Sequence, residues 1–126
     1  ANFIGMANFL EGEVTLVPVN GDSFGEVKTS GGVLKCTLPH GVGVGESVVI
    51  LIRPEDANVV SDSASSSGNV LKADVDAVIF MGDTLECRVI TGGQSIRVKL
   101  HPSSSLARGD VVRLELPPDR CRAIKN

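Results

Sequence analysis

Few stretches of this chain place reactive side chains at a spacing that could do chemistry, and each has a structural use to weigh against it. The glycine-rich run Gly41-Val42-Gly43-Val44-Gly45-Glu46-Ser47 is the most suggestive. A loop of this kind cradles phosphates when it ends in Gly-Lys-Ser/Thr, which sets an ammonium on the phosphates and a hydroxyl on Mg2+. Here Glu46 stands where the lysine belongs, and a carboxylate there repels phosphate, so the run reads as a flexible lead-in to a strand. Cys36 and His40 are close in sequence, while Cys87, His101 and Cys121 are scattered. No Cys-x-x-Cys or paired histidine supplies the local chelate of a structural zinc site, so no metal site is expected. Cys36 and Cys87 sit in strand-like patterns, where a thiol packs as a small hydrophobe. Glu11 and Glu13 share one strand face, the ordinary place for solvated carboxylates, and no nucleophile elbow is present. No catalytic residue is assigned.

The polar cluster that carries most information is Arg53-Pro54-Glu55-Asp56. Proline fixes a turn, and an arginine beside it can make a planar, bidentate pair with a carboxylate. Two readings stay open: an intramolecular salt bridge that ends a strand, or a contact with another domain or subunit. An isolated surface ion pair contributes little to stability, so energy does not choose between them.

The elements that would carry these residues are strands. The chain has 126 residues, 42 % of them hydrophobic, with 14 Gly and 6 Pro. Val and Ile dominate the apolar set, so short extended segments alternate with frequent turns and the expected class is all-β. A length of this order supports one compact core, or two small β units sharing one. Net charge is −3 and all of the aromatic residues are Phe, at 3 % of the chain. Neither a basic footprint nor stacking platforms for bases are present, so nucleic acid is not an expected partner. An odd set of three widely spaced cysteines fits a reducing cytosol, and no signal peptide or membrane span is expected.

Residues 61–68, Ser-Asp-Ser-Ala-Ser-Ser-Ser-Gly, read as a linker between two segments that repeat each other. Gly21-Asp22 is answered by Gly82-Asp83 and Gly31-Gly32 by Gly92-Gly93, each 61 positions on, and these pairs read as turns. Gly45-Glu46 is answered by Gly109-Asp110, Pro54-Glu55 by Pro118-Asp119 and Val60 by Ile124, each 64 positions on. Leu10, Gly12, Val14 and Leu16 line one face of a strand, as do Leu71, Ala73, Val75 and Ala77. The glycine pairs lie between extended runs, which predicts hairpins of Val27–Thr29 with Val33–Leu38 and of Leu85–Ile90 with Ile96–Leu100. Ser47–Ile52 and Val111–Leu116 are read as the last strand of each unit. In the second, Arg113 and Glu115 alternate with apolar residues; in the first, Val49 and Leu51 are themselves apolar. That strand is expected to be covered on both faces, by the segment around Phe3, Ile4 and Phe9 or by another subunit, which makes Val49 and Leu51 interface candidates. Residues 3–10 and Ser103–Ala107 are the two places read as capable of a helical turn.

Phe3-Ile4-Gly5-Met6-Ala7-Asn8-Phe9-Leu10, then Ile52-Arg53-Pro54-Glu55-Asp56, then Gly82-Asp83-Thr84-Leu85-Glu86, in this order and spacing, resembles the TOBE domain found at the C-terminus of ABC importer ATPases. The resemblance covers essentially the whole chain. It implies tandem OB-like β-barrel units: residues 1–8 a connector from an upstream nucleotide-binding domain, 9–60 the first unit, 61–68 the linker and 69–126 the second, with 9–126 acting as one domain. It implies a regulatory and dimerisation role without catalysis, in a parent protein whose ATP and Mg2+ are held upstream of Ala1, with no cofactor in this segment. The implied partners are the chain's own nucleotide-binding domain, a second ATPase subunit in a homodimer and, indirectly, the membrane permease subunits, at the cytoplasmic side of the inner membrane. Arg53, Glu55 and Asp56 are the residues expected to make those contacts. Gly82 to Glu86 is similar to the polyamine-type and ferric-iron-type branches, and the tail lacks the Phe-Asp ending of the sugar branch, which favours polyamines as cargo. The alternative is a small-ligand or ion-sensing β domain of such a transporter.

Overall fold

The computed structural model describes residues 7–19, 24–60 and 68–126. The serine-rich stretch 61–67, residues 1–6 of the expected connector and the Gly21-Asp22 turn lie outside the described residues. Among the described residues ten strands make up two curled five-stranded sheets of the tandem OB-like kind. The first half of the chain runs β1 (Asn8–Leu16), β2 (Gly25–Thr29), β3 (Gly32–Cys36) and β4 (Ser47–Ile52), followed by a 3-10 turn at Pro54–Asp56 and β5 (Asn58–Val60). The second half repeats the order as β6 (Asn69–Phe80), β7 (Leu85–Thr91), β8 (Gln94–Leu100), β9 (Val111–Leu116), a 3-10 turn at Pro118–Arg120 and β10 (Arg122–Lys125). Among the described residues there is no α-helix: Asn8 to Leu10 are extended in β1, and Ser103–Ala107 forms a non-helical connection. Both helical-turn expectations therefore give way there, since alternation at Asn8, Phe9 and Leu10 outweighs local helix propensity.

The sheets have the orders β10-β4-β1-β2-β3 and β5-β9-β6-β7-β8, so each takes its outermost strand from the other half of the chain. Ser47–Ile52 and Val111–Leu116 are not the last strands of their halves. A short strand follows each, turned by a proline-led 3-10 turn and paired antiparallel across the molecule: Asn58 opposite Glu115, and Arg122 opposite Leu51. Proline at the start of both turns presets their φ and forces the departure from the preceding strand. Thr37 then makes a parallel bridge to Arg122, which brings the end of the β2–β3 hairpin onto β10 and closes the first sheet on itself.

The repeat extends to hydrogen bonds. The N–H of Val14 donates to the Glu46 carbonyl and that of Gly45 to the Val14 carbonyl, at 2.9 and 2.8 Å; Val75, Asp110 and Gly109 repeat the pair at 2.8 and 2.9 Å. Each long strand is bulged there, between Val14 and Leu16 and between Val75 and Ala77, and the extra residue bends it so that the sheet can curl. The hairpin loops differ by one residue from the alignment of glycine pairs. Thr29 faces Gly32 and Thr91 faces Gln94, so Ser30-Gly31 is the structural counterpart of Gly92-Gly93, with Gly32 already in β3. Matching the glycine types slipped the register, because the two loops meet each other: a Cβ on Gly31 would strike the Thr91 side chain, and one on Gly92 the backbone of Ser30. Both sheets send alternate residues into one contiguous core, with Leu10, Ile50 and Leu34 from the first and Leu71, Leu114 and Ile96 from the second.

Candidate functional site

Three surfaces of this fold gather the candidate residues: the cleft where the hairpin loops cross, the turn after β4, and the outer face of the first sheet. The cleft is open and is lined by Glu11, Gly12, Glu13, Lys28, Thr29, Ser30, Ser47 and Gln94. Gln94 builds its far wall. Its side-chain Oε1 accepts the Glu11 N–H at 2.8 Å, and its Nε2 donates to the Glu11 carbonyl at 3.3 Å and to Ser30 Oγ at 3.0 Å. β2 ends at Thr29, opposite Gly12, so the backbone of Glu11 needs another partner and the second sheet supplies one. Glu13 and Lys28 stand directly opposite each other across β1 and β2. Two carboxylates, one ammonium and two serine hydroxyls thus line an open cleft, a set that favours a hydrogen-bonding cation over an anion.

The turn Pro54–Asp56 holds the cluster singled out in the sequence. Arg53 and Glu55 are exposed, Asp56 is half-buried, and the Asp56 N–H donates to the Arg53 carbonyl at 3.0 Å. Arg53 pairs with neither carboxylate: among the described residues the ion pair that forms joins Arg97 to Glu86, at 3.9 Å. The turn packs against β8 of the other sheet, so its position is fixed while its charged tips face outward.

On the outer face of the first sheet, Leu51 lies between Phe9 and Arg122, and Val49 between Glu11 and Ile124. Val49 and Leu51 are half-buried, with Phe9 and Ile124 exposed beside them. The corresponding places of the second sheet hold Glu115, paired with Asn58 and Val70, and Arg113, paired with Val60 and Lys72. The apolar strip therefore belongs to the first sheet alone. Of the glycines marked as turn positions, Gly82 has φ +97 beside Asp83 in the β6–β7 connection, where the Met81 N–H donates to the Thr84 carbonyl at 2.8 Å. Phe80 and Met81 are exposed at that tip.

Two buried asparagines escaped the reading of the sequence. Asn8 bonds both backbone groups of Arg97, and Asn69 both backbone groups of Lys35. The signal was present as Asn8-Phe9-Leu10 against Asn69-Val70-Leu71, at the spacing of the repeat, but asparagine in a strand is read by default as a turn former. Among the described residues no group of three or more His, Cys, Asp or Glu is placed to hold a metal ion. Cys36, Cys87 and Cys121 are all buried free thiols; His40 is exposed. Burial pushes the Cys87 thiol above its ordinary range.

Residues 50–124 match the TOBE domain family, and the chain belongs to it. It is 30 % identical over 128 residues to the spermidine/putrescine import ATP-binding protein PotA of Rubrobacter xylanophilus, covering 96 % of this chain and 32 % of that protein. The PotA of Acetivibrio thermocellus is 30 % identical over 118 residues, covering 94 % of this chain and 30 % of the relative. The chain thus spans about a third of the length of the curated relatives it matches. A crystal structure of the cytoplasmic molybdate-binding protein ModG, with molybdate bound, superposes with a TM-score of 0.83 at 16 % identity, covering 94 % of this chain and 96 % of that one. At that identity the likeness concerns the fold, and tandem OB-like units are common to both.

Proposed function

We propose that this chain is the C-terminal regulatory and dimerisation domain of the ATPase subunit of a bacterial ABC importer whose cargo is a polyamine. The observation that carries the reading is the alignment of nearly the whole chain with about a third of each of two PotA proteins, together with the TOBE family match. The parent would bind ATP and Mg2+ in an upstream nucleotide-binding domain and work as a homodimer, at the cytoplasmic side of the inner membrane beside its permease subunits. Among the described residues no helix is long and apolar enough to cross a membrane, so contact with the bilayer would run through those permeases. The domain would act by making different contacts in the open and closed dimers, which shifts their populations. Arg53, Glu55 and Asp56 suit such contacts, since the turn exposes Arg53 and Glu55 beside a half-buried Asp56 and Arg53 has no carboxylate partner of its own among the described residues. The test is ATP hydrolysis by the product of the complete gene reconstituted with its permease: spermidine with its binding protein should stimulate it, and deletion of this domain should weaken the stimulation.

The alternative, a ligand-sensing domain, draws on the cleft at the loop crossing. Glu11 and Glu13 beside Ser30, Ser47 and Gln94 would suit a polyamine's ammonium groups. Calorimetric titration of the chain with spermidine separates the readings: saturable heat lost in Glu11→Gln with Glu13→Gln supports sensing, and no heat leaves dimer contacts as the domain's role.

A further inference from the structure

The bridge that closes the first sheet places two thiols opposite each other. The Thr37 N–H donates to the Cys121 carbonyl and the Ala123 N–H donates to the Thr37 carbonyl, both at 2.9 Å, so Thr37 stands opposite Arg122 in a parallel pair. One step back along both strands, Cys36 stands opposite Cys121. Thr37 and Arg122 face outward, so alternation turns both cysteines inward to the same side, and each is wholly buried. Neighbouring strands lie about 4.8 Å apart, inside the span of roughly 4.4–6.8 Å between Cα atoms that a disulfide bridges. The Cys36 thiol donates to the Leu34 carbonyl at 3.6 Å and the Cys121 thiol to the Leu116 carbonyl at 3.9 Å.

We propose that Cys36 and Cys121 form a redox-active pair that a hydroperoxide oxidises to a disulfide, locking the exchanged strand β10 into the first barrel. The surroundings differentiate the two sulfurs. The neighbouring Cys36, and the side-chain Nδ2 of Asn69, which donates to the Cys121 Sγ at 3.8 Å, favour the Cys121 thiolate and lower its pKa. The neighbouring Cys121 and burial push the Cys36 thiol well up. The Cys121 thiolate would attack the peroxide, taking one oxygen as sulfenic acid while the other leaves as water after protonation. The Cys36 sulfur then attacks the Cys121 sulfur, the S–O bond breaks, and the departing hydroxide takes the Cys36 proton. In balance, two thiols and one hydrogen peroxide give one disulfide and two waters. The repeat supplies an internal contrast: Val98 and Ala57 fill the corresponding positions of the other half, so packing there needs no sulfur. Closure of a loop that spans most of the chain would keep β10 from peeling away.

The experiment uses the reduced, folded chain treated with hydrogen peroxide, then denatured for thiol counting and peptide mapping. The three thiols should fall to one, that of Cys87, with a linked peptide joining Cys36 to Cys121, a raised melting temperature, and reversal of all three effects by dithiothreitol. Cys36→Val and Cys121→Ala, which install the residues used by the other half, should fold and keep both remaining thiols under the same treatment. Three thiols retained in the wild-type chain, a link to Cys87, or thiol loss that persists in Cys121→Ala would overturn the proposal.

Discussion

The side-chain amide of Asn69 takes the place of a neighbouring strand for Lys35, accepting its N–H at 2.7 Å and donating to its carbonyl at 2.9 Å. Asn8 does the same for Arg97 at 2.8 and 2.7 Å. β3 and β8 lie at the ends of their ladders, where unpaired backbone groups would otherwise be buried against the opposite sheet. Each asparagine sits on the first strand of one half and serves the third strand of the other, so the two barrels are tied reciprocally.

Replacing Asn69 with Leu should therefore be more costly than its neutral side chain suggests. It leaves the Lys35 N–H and carbonyl without their partner and removes the donor to the Leu116 carbonyl at 2.9 Å. Orphaning buried backbone groups costs about 1–3 kcal/mol each way of counting, and Asn8→Leu should fall in the same range. Urea melts read this directly, and wild-type midpoints for both variants would show that the ties contribute nothing.

Thr29 and Thr91 occupy equivalent places in the two hairpins but differ in what their hydroxyls do. Thr29 Oγ1 donates to the Gly32 carbonyl at 2.7 Å and accepts the Gly31 N–H at 3.2 Å, whereas Thr91 Oγ1 is buried without a partner. Thr29→Val should destabilise by roughly 1 kcal/mol, and Thr91→Val should be neutral or stabilising, because it removes an unpaired buried hydroxyl while keeping the shape. Thermal melts of the two variants should rank in that order.

Val49 and Arg113 are likewise counterparts in the repeat, one half-buried beside Ile124 and the other exposed beside Lys72. Val49→Asp places a charge on the apolar strip and should destabilise the chain, or the proposed dimer, by about 1–3 kcal/mol. Arg113→Asp should stay within about 0.5 kcal/mol, as exposed substitutions usually do. Denaturant melts with sedimentation decide this, and equal effects would mean the two outer faces are alike.

Much of this architecture was legible because the chain says it twice. Alternation at Leu10, Val14, Leu71 and Val75, and the Gly45 and Gly109 lead-ins, placed most strands and both hairpins. The exchange of β5 and β10 was not legible, because Asn58–Val60 and Arg122–Lys125 are too short to show a period and nothing in them names the partner sheet. The cleft was hidden for a similar reason: Gln94 meets Glu11 and Ser30 only because two loops cross, a contact between residues more than sixty positions apart. Arg53 to Asp56 was correctly seen as a turn, but whether its charges pair inwardly depended on side-chain directions that a sequence does not carry.

Arg53→Ala should leave the stability of the isolated chain within about 0.5 kcal/mol of wild type, since its charge makes no ion pair among the described residues. In the complete transporter the same change should alter the ratio of transport to ATP hydrolysis. A large loss of stability with normal coupling would assign Arg53 to the fold instead.

The proposed function makes this TOBE domain the regulator of an ATPase whose catalytic site lies elsewhere in its parent. Its most direct test compares steady-state ATP hydrolysis by this chain with that by the product of the complete gene, each purified to a single peak. The account predicts no turnover above background for the chain, because Glu46 stands where a phosphate-binding lysine would be needed, and Mg2+-dependent turnover for the complete product. Activity that tracks the peak of the isolated chain, or a complete product without ATP hydrolysis, would contradict it.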